Sequence, residues 1–368
     1  MRRRSFLATP LAAFQLKGAA SDQLVYATGD GIPHTPADYS RLLASLTQNG
    51  DVTPDEYSRG GVVEKLETRV ASLLGKEAAV WLPTGTLANH LAVRLLAGAK
   101  RRVLVQAESH LYNDCGDCAQ TLSNLNLIPL GTGKATFTLD EVEEAQNRST
   151  SGRVATPIGA IQIETPVRRR HGERFEFGEL KKISARARER GIGLHLDGAR
   201  LFLESAYTGR PVREYAALFD TVYISMYKYF NAASGAVLAG PKSLLADLYH
   251  PRRMFGGGLQ QVWPFAAVAL HYIDGFEQRF RTAVETSEKV ISALAADGNF
   301  ELQRYPNGTN IFRMLVHNVN GSVYQVRLEQ AGIAARAPDG DWFTLQVNET
   351  WARLPASEIA GRFRRAIG

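Results

Sequence analysis

Apolar residues recur along this chain at two different periods, and the alternation between them sketches its architecture. Between residues 61 and 75 the run GVVEKLETRVASLLG puts Val63, Leu66, Val70, Leu73 and Leu74 on one face of a 3.6-residue period, which predicts an amphipathic helix stopped by Gly75. AAVWLPTG then reads as a buried strand and TLANHLAVRLLAG as a helix. From Arg102 to Gly240 short β-rich runs follow one another: VLVQA, NLIPL, IGAIQIET, GIGLHLD, TVYISM and GAVLAG, with helical stretches such as FGELKKISARARERG between several of them. Strands alternating with helices predict an α/β fold on a mostly parallel sheet. Residues 21–60 show no sustained period and predict an extended arm carrying one helix near 36–46. After one long helical stretch over 259–296, the runs NFELQRYP, NIFRMLVH, SVYQVRLEQAG and WFTLQVN predict a compact α+β unit. The expected organisation is therefore an arm (21–60), a large domain (61–275) and a small carboxy-terminal domain (276–368).

Length and composition refine this picture little. The 368 residues suit about two domains, and 45% hydrophobic with 22% charged residues is the balance of a soluble globular chain. Charge matters more for what it excludes. Arg2, Arg3, Arg4 and Lys17 lie in the first 20 residues with no acid, and taking those four from the net +6 leaves +2 for the body, too little to argue for nucleic acid. The start itself, MRRRSFLATPLAAFQLKGAA, resembles a twin-arginine export leader over residues 1–20, so a periplasmic location is expected, with a cytoplasmic one as the alternative. No apolar run is long enough to span a membrane. The two cysteines form a single CGDC, Cys115 to Cys118; without a second pair a structural zinc is not expected, and a redox dithiol, a disulfide or two plain thiols stay open.

The candidate chemistry lies in three stretches. In YISMYKYFNAASGAVLAG, Lys228 follows an apolar strand and is flanked by Tyr227, Tyr229 and Phe230. Desolvation there disfavours the ammonium and leaves an amine able to form an imine with an aldehyde. In GLHLDGARL, Asp197 ends another strand 31 residues earlier, about one strand-helix-strand unit, so both side chains can project from neighbouring parallel strands at one sheet edge. In LPTGTLANHLAV, Gly85 and Thr86 fall where a strand becomes a helix, whose free amides and dipole suit a phosphate. Ser225 adds a hydroxyl. A phosphate seat, a carboxylate and an amine around one edge match what pyridoxal phosphate demands. On spacing alone, Arg200 reads equally as a structural ion pair with Asp197. No glycine-rich dinucleotide fingerprint follows an early strand.

PTGTLAN, the ESH ending at His110, HLDGARL, the Lys228 segment, RRMFGGGLQQ (252–261) and GTNIF (308–312) occur in one order, and in this the chain resembles the threonine aldolase and β-eliminating lyase family. The similarity runs from about Tyr57 to about Phe312. It implies the fold-type-I architecture of pyridoxal phosphate enzymes: a mostly parallel seven-stranded sheet with helices on both faces and a smaller α+β carboxy-terminal domain. It also implies that Lys228 carries the cofactor, that His110 stacks on its ring, that Asp197 pairs with the pyridine nitrogen, and that Arg200 holds the cofactor or the substrate carboxylate. A homodimer or homotetramer is implied too, with the loop at Gly256 to Gly258 near a neighbouring subunit's site.

The chain departs from the family pattern on the substrate side. SRGG follows Tyr57 where an acidic residue and Asp-Pro-Thr are usual, ETPVRRRHG replaces Glu-Asn-Thr-His, and Tyr227 and Tyr229 replace the serine and glycine beside the lysine. The late arginine that helps clamp the substrate carboxylate has no clear counterpart in WFTLQVNE; Arg336, Arg313 or Arg168 could substitute, and spacing does not choose among them. The expected activity is aldol cleavage of a β-hydroxy-α-amino acid, with Lys228, His110 and Asp197 as catalytic groups. β-Elimination, or transamination or racemisation on the same fold, are alternatives, and so is a non-catalytic scaffold.

Overall fold

The computed structural model describes residues 23–368, so the leader expectation on residues 1–20 lies outside the described residues. In chain order the strands are β1 (Val25–Tyr26), β2 (Ala78–Leu82), β3 (Arg102–Gln106), β4 (Asn126–Leu130), β5 (Ile158–Glu164), β6 (Gly193–Asp197), β7 (Thr221–Ser225), β8 (Ala236–Gly240), β9 (Phe300–Arg304), β10 (Ile311–Val316), β11 (Ile333–Ala334) and β12 (Trp342–Gln346). Seven of them form one sheet in the order β2-β8-β7-β6-β5-β3-β4, in which β8 alone runs against its neighbours. The mostly parallel sheet read from the alternation is thus present. Every residue of β5, β7 and β8 is buried, as expected of strands covered by helices on both faces. Glu164 pairs with Asp197 and Asp197 with Tyr223, so β5, β6 and β7 end level at one carboxyl edge. Loops leaving such an edge are where α/β sheets build their sites.

The helix Gly61–Leu74 buries Val63, Leu66, Val70 and Leu74 and stops at Gly75, whose φ of 65° is the left-handed cap the sequence suggests. The helix read over 259–296 is in fact two, Trp263–Ile273 and Phe276–Ala295. Asp274 is extended and Gly275 left-handed, so the chain turns where apolar period alone ran on. The second of these helices packs on both Leu201–Thr208 and the last helix, Ala356–Arg365, joining the large sheet to the small antiparallel sheet β12-β10-β9. No described helix is long and apolar enough to cross a membrane.

The amino-terminal arm is tied down rather than loose. β1 pairs in parallel with β11, and a helix at Pro36–Thr47 starts from a capping box between Thr35 and Asp38. The link between them crosses the carboxyl edge of the large sheet. There Gly31 lies so close to the Lys228 turn that a Cβ on it would stand 2.1 Å from the Lys228 carbonyl oxygen, and Ile32 N donates to Asn231 Oδ1 at 2.8 Å.

Candidate active site

Asp197, the last residue of β6, is 1% exposed and has no cationic partner among the described residues. Its Oδ2 accepts from Asn89 Nδ2 at 2.6 Å and its Oδ1 from the Ala199 amide at 3.1 Å. Asn89 is itself oriented: its Oδ1 lies 2.8 Å from His195 Nε2, and His195 Nδ1 lies 2.9 Å from Thr221 Oγ1. Burial pushes His195 down to about 4, so the ring is neutral. A neutral imidazole donates from one nitrogen and accepts at the other. The row Thr221, His195, Asn89 and Asp197 is therefore satisfied end to end with Asn89 donating to the carboxylate. A carboxylate so buried calls for a cation, and the described residues supply none.

Lys228 stands three residues past β7, half-buried, with Nζ 5.3 Å from the centroid of the exposed Tyr227 ring. Burial first and the Arg200 charge second pull its ammonium down to about 8, against the attraction of Asp197, Asp30 and Glu164. Tyr229 and Phe230 do not line the lysine's mouth as the sequence suggested. Both are fully buried beneath the turn, with Tyr229 packed on Phe276 and Phe202.

Arg200 does not pair with Asp197 as spacing allowed. Its Nε bonds Asp30 Oδ2 at 2.8 Å, with the two side chains 13% and 6% exposed, and Asp30 Oδ1 also receives Asn310 Nδ2 at 3.3 Å. Asp30, brought in by the arm, takes the guanidinium and leaves Asp197 without a cation among the described residues. Asp30 is thus a member of this site that sequence reasoning missed, carried in by the arm that Gly31 lets settle on the Lys228 turn.

Gly85 and Thr86 open the helix Gly85–Ala97, whose cap is Thr84, accepting from Leu87 N at 3.1 Å. That bond leaves the Gly85 and Thr86 amides as the first-turn donors without intrahelical acceptors. Gly85 also packs against β7: a Cβ there would meet Tyr223 Oη at 2.1 Å. Ser225, which ends β7, is fully buried, and its hydroxyl makes no hydrogen bond within the described chain. An orphaned buried hydroxyl at the end of the strand that the helix start leans on is what a bound oxyanion would satisfy.

His110 heads the short helix His110–Asn113, its backbone N donating to Glu164 Oε2 at 2.6 Å. Glu164 Oε1 accepts from Arg168 N at 2.9 Å, and burial followed by the Asp197 charge pushes the Glu164 carboxyl up to about 7. The His110 imidazole is held above its ordinary value by its hydrogen bond with the Cys115 thiol and, against burial, by Cys115, Asp197 and Asp114. The carboxylate of Asp114 lies 3.3 Å from its Nδ1. Cys115 Sγ in turn is 3.6 Å from Thr86 Oγ1, so His110 and the helix start share a neighbour.

The family model described as β-eliminating lyase matches residues 43–314. The chain belongs to that family. A low-specificity L-threonine aldolase of Candida albicans is 31% identical over 222 residues, 59% of this chain, and the chain spans 58% of that relative's length. An Exiguobacterium structure provisionally assigned as an aromatic amino acid β-eliminating lyase/threonine aldolase superposes with a TM-score of 0.78 at 25% identity, covering 94% of this chain and 97% of the other. A Listeria monocytogenes structure provisionally assigned as an L-allo-threonine aldolase gives 0.76 at 28% identity, covering 94% and 96%. Within this family member, the edge just described gathers Lys228, Asp197, Arg200, Ser225, Gly85, Thr86 and His110. Arg336 is not tied to them. It is exposed beyond β11 and makes no hydrogen bond or ion pair among the described residues. Of the other two arginines, Arg313 lies over the Trp342 ring at 4.5 Å, whereas Arg168 is held at the edge by the hydrogen bond its backbone N–H donates to Glu164 Oε1.

Proposed function

We propose that this protein is a pyridoxal phosphate-dependent lyase that cleaves β-hydroxy-α-amino acids to glycine and an aldehyde. The observation that carries the reading is the pairing of a buried carboxylate lacking a cation, Asp197, with a lysine just past the adjoining strand, Lys228, whose ammonium is drawn down to about 8. Bound there, pyridoxal phosphate supplies an electron sink for the charge left when a bond to the α-carbon breaks.

The chain's own residues divide the remaining work. Lys228 presents its amine to the cofactor aldehyde. Asp197, kept in one orientation by Asn89, supplies the counter-charge for a protonated ring nitrogen. The amides of Gly85 and Thr86 and the Ser225 hydroxyl hold the phosphate. Arg200, braced by Asp30, meets the substrate carboxylate. His110 takes the proton of the β-hydroxyl, and the Cys115 thiol first, then Asp197 and Asp114, strengthen it as a base. Exposed Tyr57, Met254 and Leu259 around the Gly256–Gly258 loop support assembly with further copies of the chain, which sedimentation would read as a dimer or tetramer. The activity is tested by giving the loaded protein threonine, allo-threonine and phenylserine: glycine plus an aldehyde supports the reading, and ammonia plus a keto acid would replace it with β-elimination.

A further inference from the structure

The CGDC stretch touches the site only where Cys115 meets His110 and Thr86, and it is built unlike two incidental thiols. Cys118 N donates to the Cys115 carbonyl at 3.3 Å, and the two residues between them, Gly116 and Asp117, have φ of 59° and 54°. A bonded four-residue turn with both central residues left-handed is the tight primed type, whose end Cα atoms lie within about 7 Å. Disulfides bridge Cα pairs about 4.4–6.8 Å apart. Both thiols are free, and they hydrogen-bond each other. Their surroundings differ: Cys118 is partly exposed, whereas Cys115 is buried against Thr86 Oγ1 and the His110 imidazole. No group of three His, Cys, Asp or Glu among the described residues could make a metal site here.

We infer that Cys115 and Cys118 form a reversible dithiol–disulfide couple, oxidised by low-molecular-weight disulfides, and that its state is felt at His110. The hydrogen bond from Cys115 holds the Cys118 thiol below its ordinary value while pushing Cys115 up, so the outer sulfur is the attacking thiolate and the inner one resolves. Cys118 thiolate attacks one sulfur of RSSR, breaking its S–S bond. The departing RS⁻ takes up a proton equal to the one Cys118 lost. Cys115 then gives up its proton to water and attacks the Cys118 sulfur, expelling the second thiolate, which is protonated in turn. The protein loses two protons and two electrons, and one RSSR becomes two RSH. The new bond removes the thiol hydrogen of Cys115 from its contacts with Thr86 and His110.

The test uses the full chain and 2-hydroxyethyl disulfide as the probe, with N-ethylmaleimide trapping and intact-mass measurement. Its readout needs neither cofactor nor turnover, so it stands or falls apart from the lyase reading. The wild type is expected to become two hydrogen masses lighter, to lose both alkylation sites, and to recover them with dithiothreitol. Cys118→Ser should leave Cys115 reduced, and Cys115→Ser should stop at a mixed disulfide on Cys118. Wild-type protein that keeps both alkylatable thiols, or halts at a mixed disulfide, overturns the couple. The coupling is read from the His110 imidazole resonance, assigned with His110→Asn: it should move on oxidation, and an unmoved signal in fully oxidised protein overturns that half.

Discussion

Lys228 is the residue whose protonation the rest of the site is arranged to control. Only the neutral amine attacks an aldehyde, and burial with the Arg200 charge brings its value down to about 8, against about 10.4 for a free lysine. Pyridoxal phosphate uptake by the apo-protein should therefore accelerate with pH and level off above about 8. Arg200→Met removes a positive neighbour and should move that midpoint up; Asp30→Asn removes a negative one and should move it down. Stopped-flow absorbance across pH reads all three. His110 must likewise be neutral to act as a base, but its value is shifted up from 6.5 rather than down, so cleavage should fall as pH drops through that higher value. His110→Asn should lose that acidic limb in a pH–rate profile. Asn89→Ala withdraws the side-chain donor from a carboxylate that is 1% exposed and should cost about 1–3 kcal/mol in urea denaturation. Lys228 and Asp197 were legible in the sequence because each ends an apolar run. Asn89 and His195 stand inside the same motifs, but their link spans 106 residues and only the folded sheet makes it.

At the scale of elements, two close approaches set the site. The first turn of helix Gly85–Ala97 leans on Tyr223, and the arm leans on the Lys228 turn at Gly31; neither place has room for a Cβ. Gly85→Ala and Gly31→Ala should each destabilise by about 1–3 kcal/mol through overpacking. They should differ in consequence: the first weakens retention of the phosphate end, and the second loosens the Asp30–Arg200 pair and raises KM for the amino acid. Thermal unfolding and steady-state kinetics separate the two. The sequence showed the helix start, since a strand running into Thr-Gly-Thr has one reading. It did not show the arm's role. Residues 27–35 carry no period, and the pair Asp30–Arg200 closes over 170 residues. The single helix read over 259–296 failed for a smaller reason. Both halves are apolar enough to continue one pattern, and the break rests on the conformation of Asp274 and Gly275 alone.

For the whole molecule, the parallel sheet delivers the β5, β6 and β7 ends to one edge, and the amino-terminal arm, pinned to β11, closes over it. The α/β pattern foretold that sheet because its strands are short apolar runs set apart by helices. The substrate-facing side was less readable, because Arg168, Tyr227 and the arm meet only in three dimensions. The leader on residues 1–20 is a separate proposal: amino-terminal sequencing of protein recovered from the periplasm should begin near Ala20. The central claim is that a single lysine and a single carboxylate serve the two ends of one pyridine ring. Borohydride reduction of the pyridoxal phosphate-loaded protein, followed by peptide mapping, tests it most directly, with Lys228→Ala and Asp197→Asn run alongside. The account predicts the label on the peptide containing Lys228 in the wild type, none in Lys228→Ala, and in Asp197→Asn a label still on Lys228 but an altered cofactor absorbance. A label on another lysine, or undiminished labelling of Lys228→Ala, would contradict it.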